Sequence, residues 1–359
     1  MSSPLSQISL AGTSVWLDDL SRKRLSDGSL LKLITEDNVV GVTTNPSIFN
    51  TAISNSDLYV SDIQRMKVQT VDEIITELTC SDVSQACDLF KEIFEKTGHQ
   101  DGRISIEVDP RFARDTKATV NQGVELWRKI NKPNLLIKVP ATKEGLPAIT
   151  QLIARGISVN VTLIFSVQRY REVLQAYADG VTQALINKLD VKEIYSVASF
   201  FISRIDSEVD KTIEANSPLR GTAAIANATM AYQSFIEFSN SQLWQSLSKQ
   251  GANLQRPLWA STGVKDPAYD PTRYVMQLIA ANTVNTMPEN TLNAVRSTGV
   301  FAGETITDNY QNAKANLAKL ALAGVDLEKI TNALEIDGVE KFEAAWLELI
   351  DSVKTVAGK

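Results

Sequence analysis

The sequence predicts an α/β fold in which eight parallel βα units close into a single (β/α)8 barrel. Eight short strand-like runs recur between helix-sized stretches. Several of these runs are apolar and β-branched, as strands buried on both faces must be. Polar residues follow or close most of them, at the end where a parallel barrel gathers its reactive groups. A length of 359 residues would on average make two domains of about 150 residues. Barrels of about 250 residues nevertheless form one domain, and no linker, low-complexity tract or repeat divides residues 1–359. An open, doubly wound sheet is the second choice.

The first run, Ser14–Asp18, leads into a helical stretch Ser21–Glu36, and the second is Val39–Thr44. Asn45–Arg103 is too long for one helix, so two or three are expected outside the main layer, Val83–Lys96 among them. Ile104–Asp109 then precedes a helix over Phe112–Ile130, Asn134–Val139 one over Glu144–Arg155, and Ile157–Leu163 one over Ser166–Asn187. After Ile194–Phe200 comes a second long connection, Phe201–Gln255, with helices over Ile205–Ala215 and Ala223–Lys249. Arg256–Thr262, a helix over Pro271–Ala281 and Asn282–Met287 complete the eight units. Glu289–Thr298, Asp308–Ala323 and Leu327–Val356 read as C-terminal helices.

Composition narrows the function. Apolar residues at 43% and charged ones at 22% are ordinary globular values. Lys+Arg 36 against Asp+Glu 42 leaves −6, so no basic field favours nucleic acid or an anionic membrane. Cys80 and Cys87 are too few for a disulfide framework. Met1–Leu5 carries no positive segment ahead of an apolar one, and no run reaches the roughly 20 apolar residues of a membrane span. A cytoplasmic protein is the expectation. The single histidine, His99, lies in a polar stretch that reads as a loop; a multi-histidine zinc site is excluded and a Ser-His-Asp triad would depend on that loop. No dinucleotide fingerprint or Walker loop follows any run. The sequence therefore calls for no nucleotide cofactor, and proton transfer falls to carboxylates and lysine.

The strand ends offer Asp18, Thr44-Asn45, Glu107 with Asp109, Lys138, Asn160 with Thr162, Ser199, Ser261 and Asn285. Lys138 stands out, because an amine inside an apolar strand is costly unless neutral or paired, and burial lowers its pKa. Such an amine attacks a ketone, and the protonated imine draws electrons from the neighbouring carbon–carbon bond, which breaks as an aldol in reverse. Carboxylates move the protons. Each residue also has a plainer reading. Lys138 could snorkel to solvent, Asp18 and Asp19 could cap a helix near Ser21, Asn45-Pro46-Ser47 could be a turn, and Glu107 with Asp109 could line a solvated strand end. Five or six such polar ends together are an uncommon accident in a core of branched apolar residues.

Gly41-Val42-Thr43-Thr44-Asn45-Pro46-Ser47 resembles one signature of the transaldolases, and Leu135-Leu136-Ile137-Lys138-Val139-Pro140-Ala141-Thr142-Lys143-Glu144-Gly145-Leu146 resembles the stretch around that family's Schiff-base lysine. Val15–Asp18, Ser105–Asp109, Asn160–Ser166 and Ser199–Arg204 are similar as well. The resemblance, which runs from the first strand to the seventh, implies the TIM-barrel fold and a cofactor-independent transferase of the pentose phosphate pathway. It implies that Lys138 forms the Schiff base with sedoheptulose 7-phosphate or fructose 6-phosphate. Asp18 would then be the acid/base at the C4 hydroxyl, and Glu107 and Thr162 would hold the water of carbinolamine formation. Asn45, Asn160 and Ser199 would bind the dihydroxyacetone unit, which passes to glyceraldehyde 3-phosphate or erythrose 4-phosphate.

Arg204 matches the family's phosphate ligand, although it could also pair with Asp206 or Glu208 on the surface. In the seventh unit Ala260-Ser261-Thr262-Gly263-Val264-Lys265 stands where the family pattern places Ala-Ser-x-Arg. Ser261 and Lys265 are the candidates there, a form similar to that of some bacterial and plant-type relatives. Partners are sugar phosphates, with no nucleic acid or membrane, and the pattern favours neither a monomer nor a homodimer. Two other readings remain. One is a related Schiff-base aldolase of the fructose 6-phosphate or deoxyribose-phosphate type, in which water ends the reaction. The other is a silent barrel acting as a binding protein, which should have lost Lys138 or Asp18; both are present.

Overall fold

A computed structural model describes residues 3–359; Met1 and Ser2, where the reading for a leader begins, lie outside the described residues. The strands are β1 (Thr13–Leu17), β2 (Val39–Val42), β3 (Arg103–Glu107), β4 (Leu135–Pro140), β5 (Val159–Ile164), β6 (Ser196–Phe201), β7 (Arg256–Ala260) and β8 (Thr283–Met287). Each pairs in parallel with the next and β8 pairs with β1, closing the barrel. All eight fall on the runs expected from sequence. Every residue of the strands β3 to β8 is buried, so a polar residue within these strands has to find partners inside the protein.

The N-terminal end of the barrel is sealed. Trp16 fills the interior and donates its indole N–H to Asp101 Oδ1 at 3.1 Å. Arg256 reaches the same carboxylate at 2.8 Å and Ser14 Oγ at 2.9 Å. Gly41 lies against the Trp16 ring so closely that a Cβ there would stand 2.4 Å from it. Gly41→Ala is therefore expected to destabilise the protein by about 1–3 kcal/mol, measurable as a fall in the denaturation midpoint. His99 belongs to this end: its backbone is left-handed (φ 70°), its ring stacks on Phe94, and its carbonyl accepts from Arg103 Nε at 2.9 Å. The loop reading of that residue holds.

The helices differ from expectation in instructive places. Ser21–Glu36 is two helices, Arg22–Ser26 and Ser29–Glu36, separated at Gly28, whose φ of +80° suits glycine. The connection after β2 holds four helices rather than two or three: Pro46–Ser54, Val60–Arg65, Val71–Leu89 and Lys91–Lys96. The third starts well before Val83, at a capping box in which Thr70 accepts from the Glu73 N–H and Glu73 accepts from that of Thr70. Cys80 and Cys87 are free and buried on it, and burial pushes the Cys80 thiol up to about 12.

The connection after β6 holds Ser203–Val209, Ala223–Ser239 and Gln242–Ser248. Ser241 breaks the last two apart by capping the second through the Trp244 N–H. Pro271–Ala281 shrinks to Arg273–Met276, because the Ile279 and Ala280 N–H groups are taken by Thr305 and Thr13. A helix over Pro4–Leu10 was not expected; Ser3 caps it and Pro4 starts it. Of the C-terminal helices, Glu289–Thr298, Tyr310–Leu322 and Leu327–Ala357, the 31-residue last one packs against Pro46–Ser54, Ser203–Val209 and β5. No described helix is long and apolar enough to cross a membrane.

Candidate active site

Glu107, Lys138 and Asn160 are register partners on β3, β4 and β5, so the barrel sets them side by side at one height. Lys138 is 4% exposed and does not snorkel. Its Nζ donates to Glu107 Oε2 and to the Thr44 carbonyl, each at 2.9 Å. Burial raises the Glu107 carboxyl above the usual range, against the pull of Lys138. A buried pair of this kind is poor evidence for stability. Its chemical consequence is clearer, since a proton can pass from the ammonium to a carboxylate that burial has made more basic, leaving a neutral, nucleophilic amine.

Asp18 follows β1 and accepts from Thr43 Oγ1 at 2.7 Å, and Thr43 also bonds Thr286 Oγ1 at 2.7 Å. Burial raises the Asp18 carboxyl, partly offset by Lys138 and Thr43. It caps no helix: Ser21 accepts the Arg24 N–H and Asp19 pairs with Arg24. Asp109 is structural, holding Arg111 and the Arg111 N–H. Asn285 turns away from the barrel and donates to the Tyr274 carbonyl.

Above Lys138 lies a cavity of about 220 Å³ lined by Asp18, Asn45, Lys138, Thr162, Ser199, Arg204, Ser261 and Lys265. Eight of the ten residues expected from sequence thus meet there. The other two lie beneath it: Glu107 holds Lys138, and Asn160, fully buried, accepts from Ser199 Oγ at 2.7 Å and donates to Ser105 Oγ at 2.9 Å. Asn45 opens a helix rather than sitting in a turn, and it lines the cavity. Its Oδ1 caps Pro46–Ser54 by accepting from the Ile48 N–H at 3.0 Å, so that its amide nitrogen is the group free to donate.

Arg204 opens the helix Ser203–Val209 with Nη1 buried and unpartnered. The surface pairing does not form, because Asp206 accepts from the Ala224 N–H and Tyr274 OH, and Glu208 pairs with Lys211. The nearest carboxylate, on Asp337, is 4.0 Å away. Burial holds the guanidinium below its usual range, so an anion placed beside it would be strongly favoured. Ser261 supports this helix start: its backbone takes a positive φ of 54°, its carbonyl accepts the Ser203 N–H at 3.0 Å, and the two hydroxyls lie 3.1 Å apart. Lys138, Arg204 and Lys265 against Asp18 make the cavity cationic in a chain of net charge −6.

Sequence reasoning missed several lining residues. Thr43 rather than Thr44 faces Asp18, a choice the two-residue alternation from Gly41 signals. Phe201, Thr286 and Phe342 also line the cavity, the last from the C-terminal helix, where nothing local announces it.

Residues 15–353 match the family described as Transaldolase/Fructose-6-phosphate aldolase. The chain is 49% identical over 358 residues to Transaldolase 1 of Streptomyces avermitilis, covering 98% of this chain and 95% of that protein. It is 50% identical to the transaldolase of an Arthrobacter species, over 99% of this chain and 97% of that one. Against the transaldolase of Mycolicibacterium smegmatis the identity is 50%, over 98% and 96%. With a match of this extent, and a lysine and carboxylate pair buried at the C-terminal end of a closed parallel barrel, the chain belongs to the transaldolase/fructose-6-phosphate aldolase family.

Proposed function

We propose that this protein is a cytoplasmic transaldolase. It moves a dihydroxyacetone unit from sedoheptulose 7-phosphate or fructose 6-phosphate to glyceraldehyde 3-phosphate or erythrose 4-phosphate. The observation that carries the reading is the Lys138 amine, buried, bonded to Glu107 at 2.9 Å and opening into a small cationic cavity. Two free cysteines, both buried, agree with a reducing compartment.

Glu107 takes the proton from Lys138, and the neutral amine adds to the C2 carbonyl. Glu107 Oε1 and Thr162 Oγ1, both buried without partners, suit the water through which the carbinolamine hydroxyl is protonated and lost. The resulting iminium draws the C3–C4 bonding electrons as Asp18 removes the C4 hydroxyl proton, which releases the aldose and leaves an enamine on Lys138. Attack of the enamine carbon on the acceptor aldehyde reverses the sequence, with Asp18 returning the proton. Asn45 and Ser199 hold the hydroxyls of the three-carbon unit, Ser199 braced by Asn160. Arg204, with Lys265 and Ser261, takes the phosphate.

Asp18→Asn keeps an acceptor for Thr43 and removes only the base, so kcat should fall by about 10²–10⁴-fold. Because burial raises the Asp18 pKa and the ionised form is the active one in cleavage, the acid limb of the wild-type pH profile should lie above the ordinary aspartate value. A steady-state pH series checks both. Formation of sedoheptulose 7-phosphate from fructose 6-phosphate and erythrose 4-phosphate tests the reading. Release of dihydroxyacetone alone, with no transfer at any acceptor concentration, would favour the aldolase reading of the family instead.

A further inference from the structure

The geometry points to Phe342 as a specificity-determining residue that keeps the three-carbon intermediate on the enzyme by roofing the Lys138 nitrogen against water. This rests on the Schiff-base reading above. The helix Leu327–Ala357 seats against the end of β5 at Gly338, where a Cβ would stand 3.0 Å from Leu163 Cδ2 and 3.5 Å from Phe165. Leu163 has a left-handed backbone, φ 59°, and falls where the β5–β6 register shifts between Val161 and Ile164. A non-glycine residue in this conformation is strained, and here it forms the surface on which the helix rests. One turn beyond Gly338, at the i+4 spacing that shares a helix face, Phe342 lines the cavity, 5% exposed, its ring centroid 5.4 Å from Lys138 Nζ. Asp337, beside Gly338, is the carboxylate nearest Arg204.

The enamine has two fates. Its nucleophilic carbon can bond to the aldehyde carbon of an acceptor. Alternatively that carbon takes a proton to give an iminium, water adds at the former carbonyl carbon, and the carbon–nitrogen bond breaks, returning the Lys138 amine and freeing dihydroxyacetone. Both routes free their ketone by adding the water at Glu107 and Thr162 to an iminium; only the second needs a proton delivered to the nucleophilic carbon. An aromatic ring beside the Lys138 nitrogen keeps bulk water, the source of that proton, out of the cavity, and its π face also favours the positive charge of each iminium. Phe342 therefore biases the intermediate toward transfer.

The test uses the full-length enzyme with fructose 6-phosphate and erythrose 4-phosphate, and reads the ratio of free dihydroxyacetone to sedoheptulose 7-phosphate. Borohydride trapping on Lys138 is run beside it. Phe342→Ala should keep the trapped adduct and raise the ratio by about tenfold or more, while Phe342→Leu, which restores a dry cover, should stay within about threefold of wild type. Gly338→Ala touches no lining residue, shifts the helix by a few tenths of an ångström, and should raise the ratio by about two- to fivefold; it decides the matter if Phe342→Ala does not fold. An unchanged ratio in the folded variants with the adduct intact overturns the role of Phe342. Loss of the adduct from wild type overturns the Schiff-base reading beneath it.

Discussion

Lys138→Met is expected to lower cleavage of fructose 6-phosphate by at least about 10⁴-fold, about 5 kcal/mol of barrier, because the amine that forms the covalent intermediate is gone. Methionine has similar reach and suits the apolar interior of β4, so the barrel should persist. The variant leaves the Glu107 carboxylate without its cation, in a site where burial already raises its pKa. Loss of the cation raises it further. A carboxyl whose folded pKa is raised gives its full stability below the ordinary glutamate range and loses it as pH climbs through the folded value. The melting-temperature deficit of Lys138→Met should therefore be smaller at pH 5 than at pH 8. A deficit independent of pH would show that Glu107 does not depend on Lys138 for its charge.

Arg204→Ala should lower kcat/KM for the phosphorylated ketose by about 10²–10³-fold, the loss of about 3–4 kcal/mol expected of a charge-assisted contact in a buried setting. Most of it should appear in KM. Inorganic phosphate should weaken as an inhibitor in parallel, which separates a phosphate contact from one to the sugar. Arg204→Lys should recover little, since a point charge cannot present two parallel donors. Folding stability should hold or improve, because Arg204 Nη1 is buried without a hydrogen-bond partner. An unchanged phosphate inhibition constant would assign the phosphate to Lys265 and Ser261 alone.

The barrel strands were legible because burial on both faces leaves no room for polar residues without a task, so runs such as Leu135-Leu136-Ile137 announce a strand and Lys138 within them announces a site. The same logic located Asp18, Thr162 and Ser199. Asn160 was found but belongs under the cavity, where Ser105 and Ser199 occupy its amide; it shares the register of Lys138, and its short side chain stops below the level that the lysine stem reaches, which spacing alone does not convey. The helix breaks at Gly28 and Ser241 were missed because apolar periodicity runs across them, while the signals that break them are single residues. The capping box at Thr70 is a signal that sequence does carry, Thr70 and Glu73 standing three residues apart ahead of an apolar run. Phe342 could not be read in advance, because its place over Lys138 depends on where a 31-residue helix crosses the barrel. Along that crossing a glycine meets a strained leucine far away in sequence.

The most direct measurement is to incubate the protein with fructose 6-phosphate, reduce with borohydride, digest, and locate the added mass, with Lys138→Met in parallel. A three-carbon adduct on the peptide carrying Lys138, absent from the variant, is the result the account predicts. An adduct on another lysine such as Lys143 or Lys265, or none on a protein that still converts the sugar, would contradict it.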